Sequence, residues 1–330
     1  MAHAAFRPAL AASLCLLLSS AAHGAANTPW GSRITGMSVA ATEDMGSFKG
    51  IAYSRVRGTV TGVVDPRENV AGLASLPKNA QGLYEYSSEF EIIAPAKGQP
   101  ANEVLFIDAE NRGNPSIMNL LNEAGVSGPP SRTVYKPGIG NGFFQNHATT
   151  YARVQWQTKV SKGVPENAQG IGLVVMRDFA RMLGGYTANV PAQGYTPVTY
   201  HKMILGGKSQ SSWMVIDFIA EGFNVEPITG EGVFQGAIAP DGIGHWMALN
   251  NLAKKFNAPQ HPYIKPDAPP LKKAEILSRP ASDPIFIDTV AYTDFYRLRG
   301  SLTSFPTTTP KYRRYDIPPA RMAYSGRPWT

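Results

Sequence analysis

Apolar and polar positions change their period along this chain, and the changes outline a fold. Residues Ile51–Val56, Gly58–Val64 and Leu83–Ile93 partly alternate, as half-buried strands do, and Asp65-Pro66 and Ala94-Pro95 end them. They predict short antiparallel strands near the N-terminus. From Glu103 to Asp108 the pattern becomes a continuous apolar run, the kind a sheet centre buries on both faces. Tyr151–Trp156 reads as a further strand. Ile171–Met182 is apolar at helical spacing through Val174, Val175, Met176, Phe179 and Met182, and Gly184-Gly185 stops it. Later strands are expected at 200–205, 233–239, 284–289 and 311–317. The alternation of strand and helix predicts an α/β fold: a mostly parallel central sheet, helices on both faces, antiparallel strands at its N-terminal side. Residues 25–47 are small and polar and predict a flexible lead-in. Residues 245–280, rich in Pro, Asn and Lys, predict a lid-like excursion over the sheet edge.

One junction stands out. Met203-Ile204-Leu205 runs into Gly206-Gly207-Lys208-Ser209-Gln210-Ser211, and an apolar helix-like segment leaves through Trp213 to Ile216. A strand, a sharp turn and a helix in this order make a nucleophile elbow, in which one serine hydroxyl stands clear of the sheet. Ser209 is then the nucleophile of an acyl-transfer enzyme. The alternative is a Gly/Ser-rich strand-to-helix loop in an ordinary α/β domain. Ser211 stands where the Gly-x-Ser-x-Gly pattern has its last glycine.

The 330 residues and 43% hydrophobic content suit one large α/β domain or two small ones. The net charge of +7 is scattered, with no basic run longer than Tyr312-Arg313-Arg314-Tyr315, so a solvated basic surface is expected and a nucleic-acid partner is not. Residues 1–24 read as a signal peptide: Arg7, an apolar stretch from Leu10 to Ala21, then Ala22-His23-Gly24 as a cleavage site. The apolar stretch is too short for a membrane span. These features predict a secreted or periplasmic protein, a retained anchor being the alternative. The sole cysteine, Cys15, lies in that segment, so the mature chain has no disulfide, thiolate metal site or cysteine nucleophile. Oligomeric state is not legible.

An acyl-transfer serine needs a base, an acid that orients the base, and N–H donors for the oxyanion. The amide of Gln210 and the Asn111-Arg112-Gly113 loop, with Arg112 and Gly113 as donors, are the oxyanion candidates; a plain turn is the alternative for that loop. Asp294 is the first choice of acid, with Asp288 and Asp241 behind it. The base is harder to place. Histidines His147, His201, His245 and His261 follow residue 24, none comes after Asp294, and His245 is the candidate substitute because it sits just past a strand end. No histidine pair has metal-ligand spacing, and neither metal nor cofactor is expected. Among the aromatic residues, Phe143, Phe144, Trp156, Trp213 and Trp246 are candidates for lining a pocket.

Five segments in order resemble the branch of the α/β-hydrolase superfamily known as "alpha/beta hydrolase domain" proteins. They are Gly58-Thr59-Val60-Thr61-Gly62-Val63-Val64-Asp65-Pro66; Val104 to Gly113, ending in Asn-Arg-Gly; Val175-Met176-Arg177-Asp178; Gly207-Lys208-Ser209-Gln210-Ser211; and Glu221-Gly222-Phe223-Asn224. Tyr292 to Leu302 is a weaker match. The resemblance spans about residues 50–318. It implies an α/β-hydrolase domain over 48–330, Ser209 as nucleophile, the Asn111-Arg112-Gly113 loop near the oxyanion, and the acid near Asp294. Two departures from the family's pattern matter: Ser212 replaces a usual glycine, and no histidine follows the strand at 312–317. The chain instead reads Pro318-Pro319-Ala320-Arg321-Met322, and a truncated or frameshifted C-terminus is expected, or else a natural short variant. The expected function is an exported serine hydrolase acting on a small-molecule carboxylic ester through an acyl-enzyme on Ser209, weakened or inactive for want of the late histidine. The alternative is a non-catalytic binding protein on the same fold. A lipase-like enzyme with a membrane-contacting lid fits poorly with the prolines and lysines of 245–280.

Overall fold

Side-chain alternation sorts the strands' residues onto two faces. In β4 (Val104–Asp108), Leu105 and Ile107 enter one hydrophobic cluster and Phe106 the other. In β5 (Thr150–Val154), Ala152 and Val154 part in the same way from Tyr151; in β6 (Lys202–Gly206), Met203 and Leu205 part from Ile204. Helices α3 (Ile171–Leu183) and α4 (Gln210–Ala220) cover the first face. The short helices α1 (Ser116–Leu121) and α2 (Phe143–Asn146) cover the second. The computed structural model describes residues 31–135, 139–186, 200–242, 244–258, 269–297 and 310–317. The signal-like segment, His261 and the stretch after Ile317 lie outside them.

The remaining elements are β1 (Arg33–Phe48), β2 (Ile51–Val64), β3 (Tyr84–Pro95), β7 (Gly236–Pro240), α5 (Asn251–Lys255), α6 (Lys273–Ile276), β8 (Ile285–Ala291), α7 (Tyr292–Arg297) and β9 (Tyr312–Ile317). The described strands form one nine-stranded sheet in the order β1-β2-β3-β5-β4-β6-β7-β8-β9. Pairing is antiparallel from β1 through β3 to β5 and parallel from β5 through β4 to β9. This is an α/β-hydrolase fold with an added antiparallel strand, β1, at one edge. After β4 the chain moves outward to β5, and after β6 it moves the other way to β7. The C-terminal ends of β4 and β6 therefore flank a topological switch point, where open α/β sheets place their ligands.

Two expectations are corrected. Most of the flexible lead-in predicted for 25–47 is strand β1, 16 residues long. Its pairing with β2 slips between Ile34 and Gly36, Val39 and Ala41, and Asp44 and Ser47. Each slip breaks the two-residue period by which strands are read, so the sequence hides this one. Gly58 pairs with Val39 at one slip, and a Cβ there would collide with the Ser38 carbonyl. Glycine thus lets the two predicted segments at 51–56 and 58–64 join as a single β2. The described part of 245–280 is no lid either: Trp246, Met247, Leu249, Leu252, Leu271 and Ile276 are buried in the main core. Carboxylates on and just after α4 hold it there. Asp217 accepts the Met247 N–H on both oxygens, at 3.1 and 3.2 Å, and Glu221 accepts those of Asn251 and Leu252, each at 3.1 Å. Among the described residues no helix is long and apolar enough to cross a membrane.

Candidate active site

The elbow forms where β6 ends. Ser209 has φ 58° and ψ −122° and directly precedes α4. A non-glycine residue in such a conformation carries roughly 1–3 kcal/mol of strain, held by its surroundings. Here the surroundings are backbone bonds that extend the β6–β7 pairing: Gly207 N–H to Ile238 O at 3.2 Å and Ser209 N–H to Pro240 O at 3.0 Å. Helix α4 starts so close behind that a Cβ on Gly207 would lie 2.5 Å from the Ser211 carbonyl oxygen and 2.9 Å from Ser211 Cβ. Glycine at 207 therefore makes room for serine at 211. Ser212 is met by Gly242, where a Cβ would stand 2.9 Å from Ser212 Cβ. The Ser212 hydroxyl donates to the Gly207 and Pro240 carbonyls and is fully buried, so it braces the turn.

The loop after β4 leans on this elbow. Asn111 and Asn114 exchange backbone hydrogen bonds at 2.8 and 3.0 Å. Asn111 Nδ2 donates to Lys208 O at 3.4 Å, and Arg112 Nε to Gln210 Oε1 at 3.2 Å. Arg112 itself is left-handed, φ 53°, and its N–H donates to Gln157 Oε1 at 3.1 Å. That amide is thus engaged by a protein side chain, while the Arg112 guanidinium lies against the first residue of α4. Gly113 is buried with φ 80°. Beneath the loop, Asp108 accepts from Ser116 Oγ, the Ile117 and Met118 amides and Tyr151 Oη at 2.8–3.2 Å. It caps α1 from outside the helix. Burial raises its pKa, and these four donors oppose the rise. Ser116 Oγ also receives the Lys208 N–H at 3.3 Å, which ties the cap to the elbow.

The acid candidates come together on the opposite side. Asp241 ends β7, in a left-handed conformation with its N–H on Thr289 O at 2.8 Å. Asp294 lies on α7, just past β8, fully buried. The Asp241 carboxylate faces it, and the backbone N–H groups of Ala291 and Asp294 itself lower its pKa only in part. Burial, then this like charge, pushes Asp294 up to about 7. Asp241 is raised too, by burial, with the hydrogen bond to Asp294 and the charge of Lys208 drawing it back. Asp288, the third candidate, points instead to Tyr312 Oη at 3.3 Å.

His245 is buried in the turn after β7, its ring edge-on to Trp213 with centroids 6.2 Å apart. Among the described residues no hydrogen bond joins Ser209 Oγ to His245. His201 directly precedes β6 and His147 precedes β5, which puts both at the end of the sheet opposite the elbow. Of the aromatic candidates, Phe144, Trp156 and Trp246 are core and Phe143 lies beside His147, which leaves Trp213 near the elbow. Two of the family-like segments are structural. Arg177 grips Glu68 at 2.5 and 3.2 Å, and Asn224 exchanges hydrogen bonds with the Phe234 backbone at 2.9 and 3.0 Å. Among the described residues no group of three His, Asp or Glu side chains could hold a metal ion.

No family model and no curated protein matches the sequence. Solved structures of similar fold include a glucuronoyl esterase from Solibacter usitatus, 11% identical with a TM-score of 0.39, covering 87% of this chain and 84% of its own. Another is a CE15 glucuronoyl esterase from Teredinibacter turnerae T7901, at 12% and 0.38 over 86% and 77%. A third is an S-formylglutathione hydrolase from Staphylococcus aureus, at 11% and 0.34 over 82% and 90%. At these values the likeness says nothing of the reaction.

Proposed function

We propose that the protein is an exported serine hydrolase that cleaves a small-molecule carboxylic ester through an acyl-enzyme on Ser209. The observation that carries this reading is the strained conformation of Ser209 at the C-terminal end of a central strand, directly before α4. A strained non-glycine residue held at such a position is a feature of functional sites. Ser209 Oγ attacks the ester carbonyl as the base takes its proton, the first amides of α4, with the helix dipole behind them, favour the oxyanion, and the C–O bond to the alcohol breaks as that oxygen receives the proton, leaving the acyl-enzyme. Asp241 and Asp294 supply the acid side, and His245 is the substitute base. Water then releases the acid and restores Ser209. Export rests on the N-terminal sequence alone.

A second reading, a non-catalytic binding protein, is favoured by one observation: the buried His245 ring packs edge-on against Trp213. Labelling of the purified chain with a fluorophosphonate probe separates the two. Labelling that disappears in Ser209→Ala is the expected result. An unlabelled, folded wild-type chain supports the binding protein.

A further inference from the structure

We infer that Arg153 is a positioning residue for the reaction: its guanidinium fixes the Asn111–Asn114 loop against the elbow and so sets the geometry around Ser209. The inference rests on the Ser209 reading above. Arg153 lies on β5 with no exposed surface, paired in register with Glu91 on β3 and Asp108 on β4. Its Nε donates to Glu91 Oε1 at 3.0 Å and its Nη2 to Thr133 Oγ1 at 2.7 Å. The Nη1 group faces three acceptors: Gly128 O at 3.0 Å, Gly113 O at 3.2 Å and Glu110 Oε2 at 3.3 Å.

Neutralising Glu91 does not account for this arrangement. Arg55 already pairs with Glu91 through its Nε, at 2.6 Å. The far edge of Arg153 is spent on carbonyls instead, and those belong to the two segments that lean on the elbow. Gly113 is in the loop itself. Gly128 is in the adjoining segment, whose N–H donates to Asn114 Oδ1 at 2.9 Å. From there the path to the nucleophile is short, through Arg112 to Gln210 and Asn111 to Lys208 O. A planar fork with five N–H donors can hold these partners together; a lysine ammonium cannot.

The test is the rate of Ser209 labelling by a fluorophosphonate, resolved into binding and bond-forming steps, with amide exchange measured across residues 111–114. Arg153→Lys keeps the charge and loses the fork. The expected result is a fall of about 10–100-fold in the bond-forming rate, probe affinity within about twofold, and faster exchange in the loop. Thr133→Val leaves every charge in place and is the milder variant, expected to act in the same direction by about three- to tenfold. A double variant should lose less than the product of the singles, since both act on one guanidinium. Either single variant labelling at the wild-type rate while folded overturns the inference. A wild-type chain that does not label overturns the Ser209 reading instead, and loop exchange in Arg153→Lys then decides the positioning role alone: unchanged exchange sinks it.

Discussion

The two sides of the cleft are built on opposite principles. Around Ser209, several buried polar groups find complementary partners: Asp108 has four donors, the Ser212 hydroxyl has carbonyls, and Arg153 serves Glu91, Gly113 and Gly128. Across from it, Asp294 is buried against another carboxylate. The first side fixes geometry, which catalysis by orientation and dipoles requires. The second buries one acid against another, and that burial raises the pKa of both and costs stability when they are charged. Buried carboxylates thus do different work according to whether donors or another acid face them.

Breaking the geometric side should have the largest effect. Gly207→Ala drives a Cβ to within 2.5 Å of the Ser211 carbonyl oxygen; Gly207 is held by its bond to Ile238 O and Ser211 by its place in the first turn of α4. A loss of about 3 kcal/mol in urea denaturation is expected, with fluorophosphonate labelling reduced at least as far as in Arg153→Lys. Stability and labelling both at wild-type levels would mean that strand and helix do not approach as described.

Glu110 is the charged exception on that side, where Ser211 Oγ and Trp213 Nε1 are also unpartnered among the described residues, and it sharpens the contrast. Its Oε2 meets Arg153, but its Oε1 is buried with no partner, and burial pushes its pKa up to about 7 despite that arginine. The unfolded chain gives up this proton near pH 4.5, while the folded protein keeps it to about 7. Between these values the folded state binds more protons, so this residue's contribution makes stability fall as pH rises. Glu110→Gln should remove that part of the decline, up to about 3 kcal/mol between wild type and variant across the window. Parallel stability curves for the two proteins from pH 4.5 to 7 would refute it.

Asp294 titrates in the same sense, from an ordinary carboxylate value up to about 7, so its contribution is also lost as pH rises through that window. Asp294→Asn should raise the melting temperature at pH 8 and change it little at pH 4. The reverse order would show that Asp294 is held charged by a donor and that the two sides do not differ as argued.

The legibility of the sequence follows the same division. Where one period governs a segment, as in Val104–Ile107 or Ile171–Met182, the element appears where the pattern predicts it. The elbow was legible because Gly207 and Ser209 each answer a local steric demand. Strand β1 was hidden by slips in its pairing, and the packing of 245–280 by apolar residues with no fixed period. Arg153 and Glu110 were missed, although a charge inside the apolar run Tyr151–Trp156 was a signal available to be read. Their role depends on partners 20 to 62 residues away, which no local pattern encodes.

The smallest effect belongs to Ser212, and it tests whether the serine at this position carries function or only bracing. Its one hydroxyl proton is shared between the Gly207 carbonyl, at 2.6 Å, and that of Pro240, which also accepts the Ser209 N–H at 3.0 Å. Ser212→Ala removes that donor while leaving the Ser209 bond in place, so a loss of about 1 kcal/mol is expected. Ser212→Gly should lose a few tenths to about 1 kcal/mol more, because glycine is freer in the unfolded chain. Both variants should keep labelling within about threefold of wild type, since the side chain is fully buried and braces the turn from behind. A tenfold loss of labelling in Ser212→Ala with unchanged stability would instead make this hydroxyl part of the chemistry at Ser209.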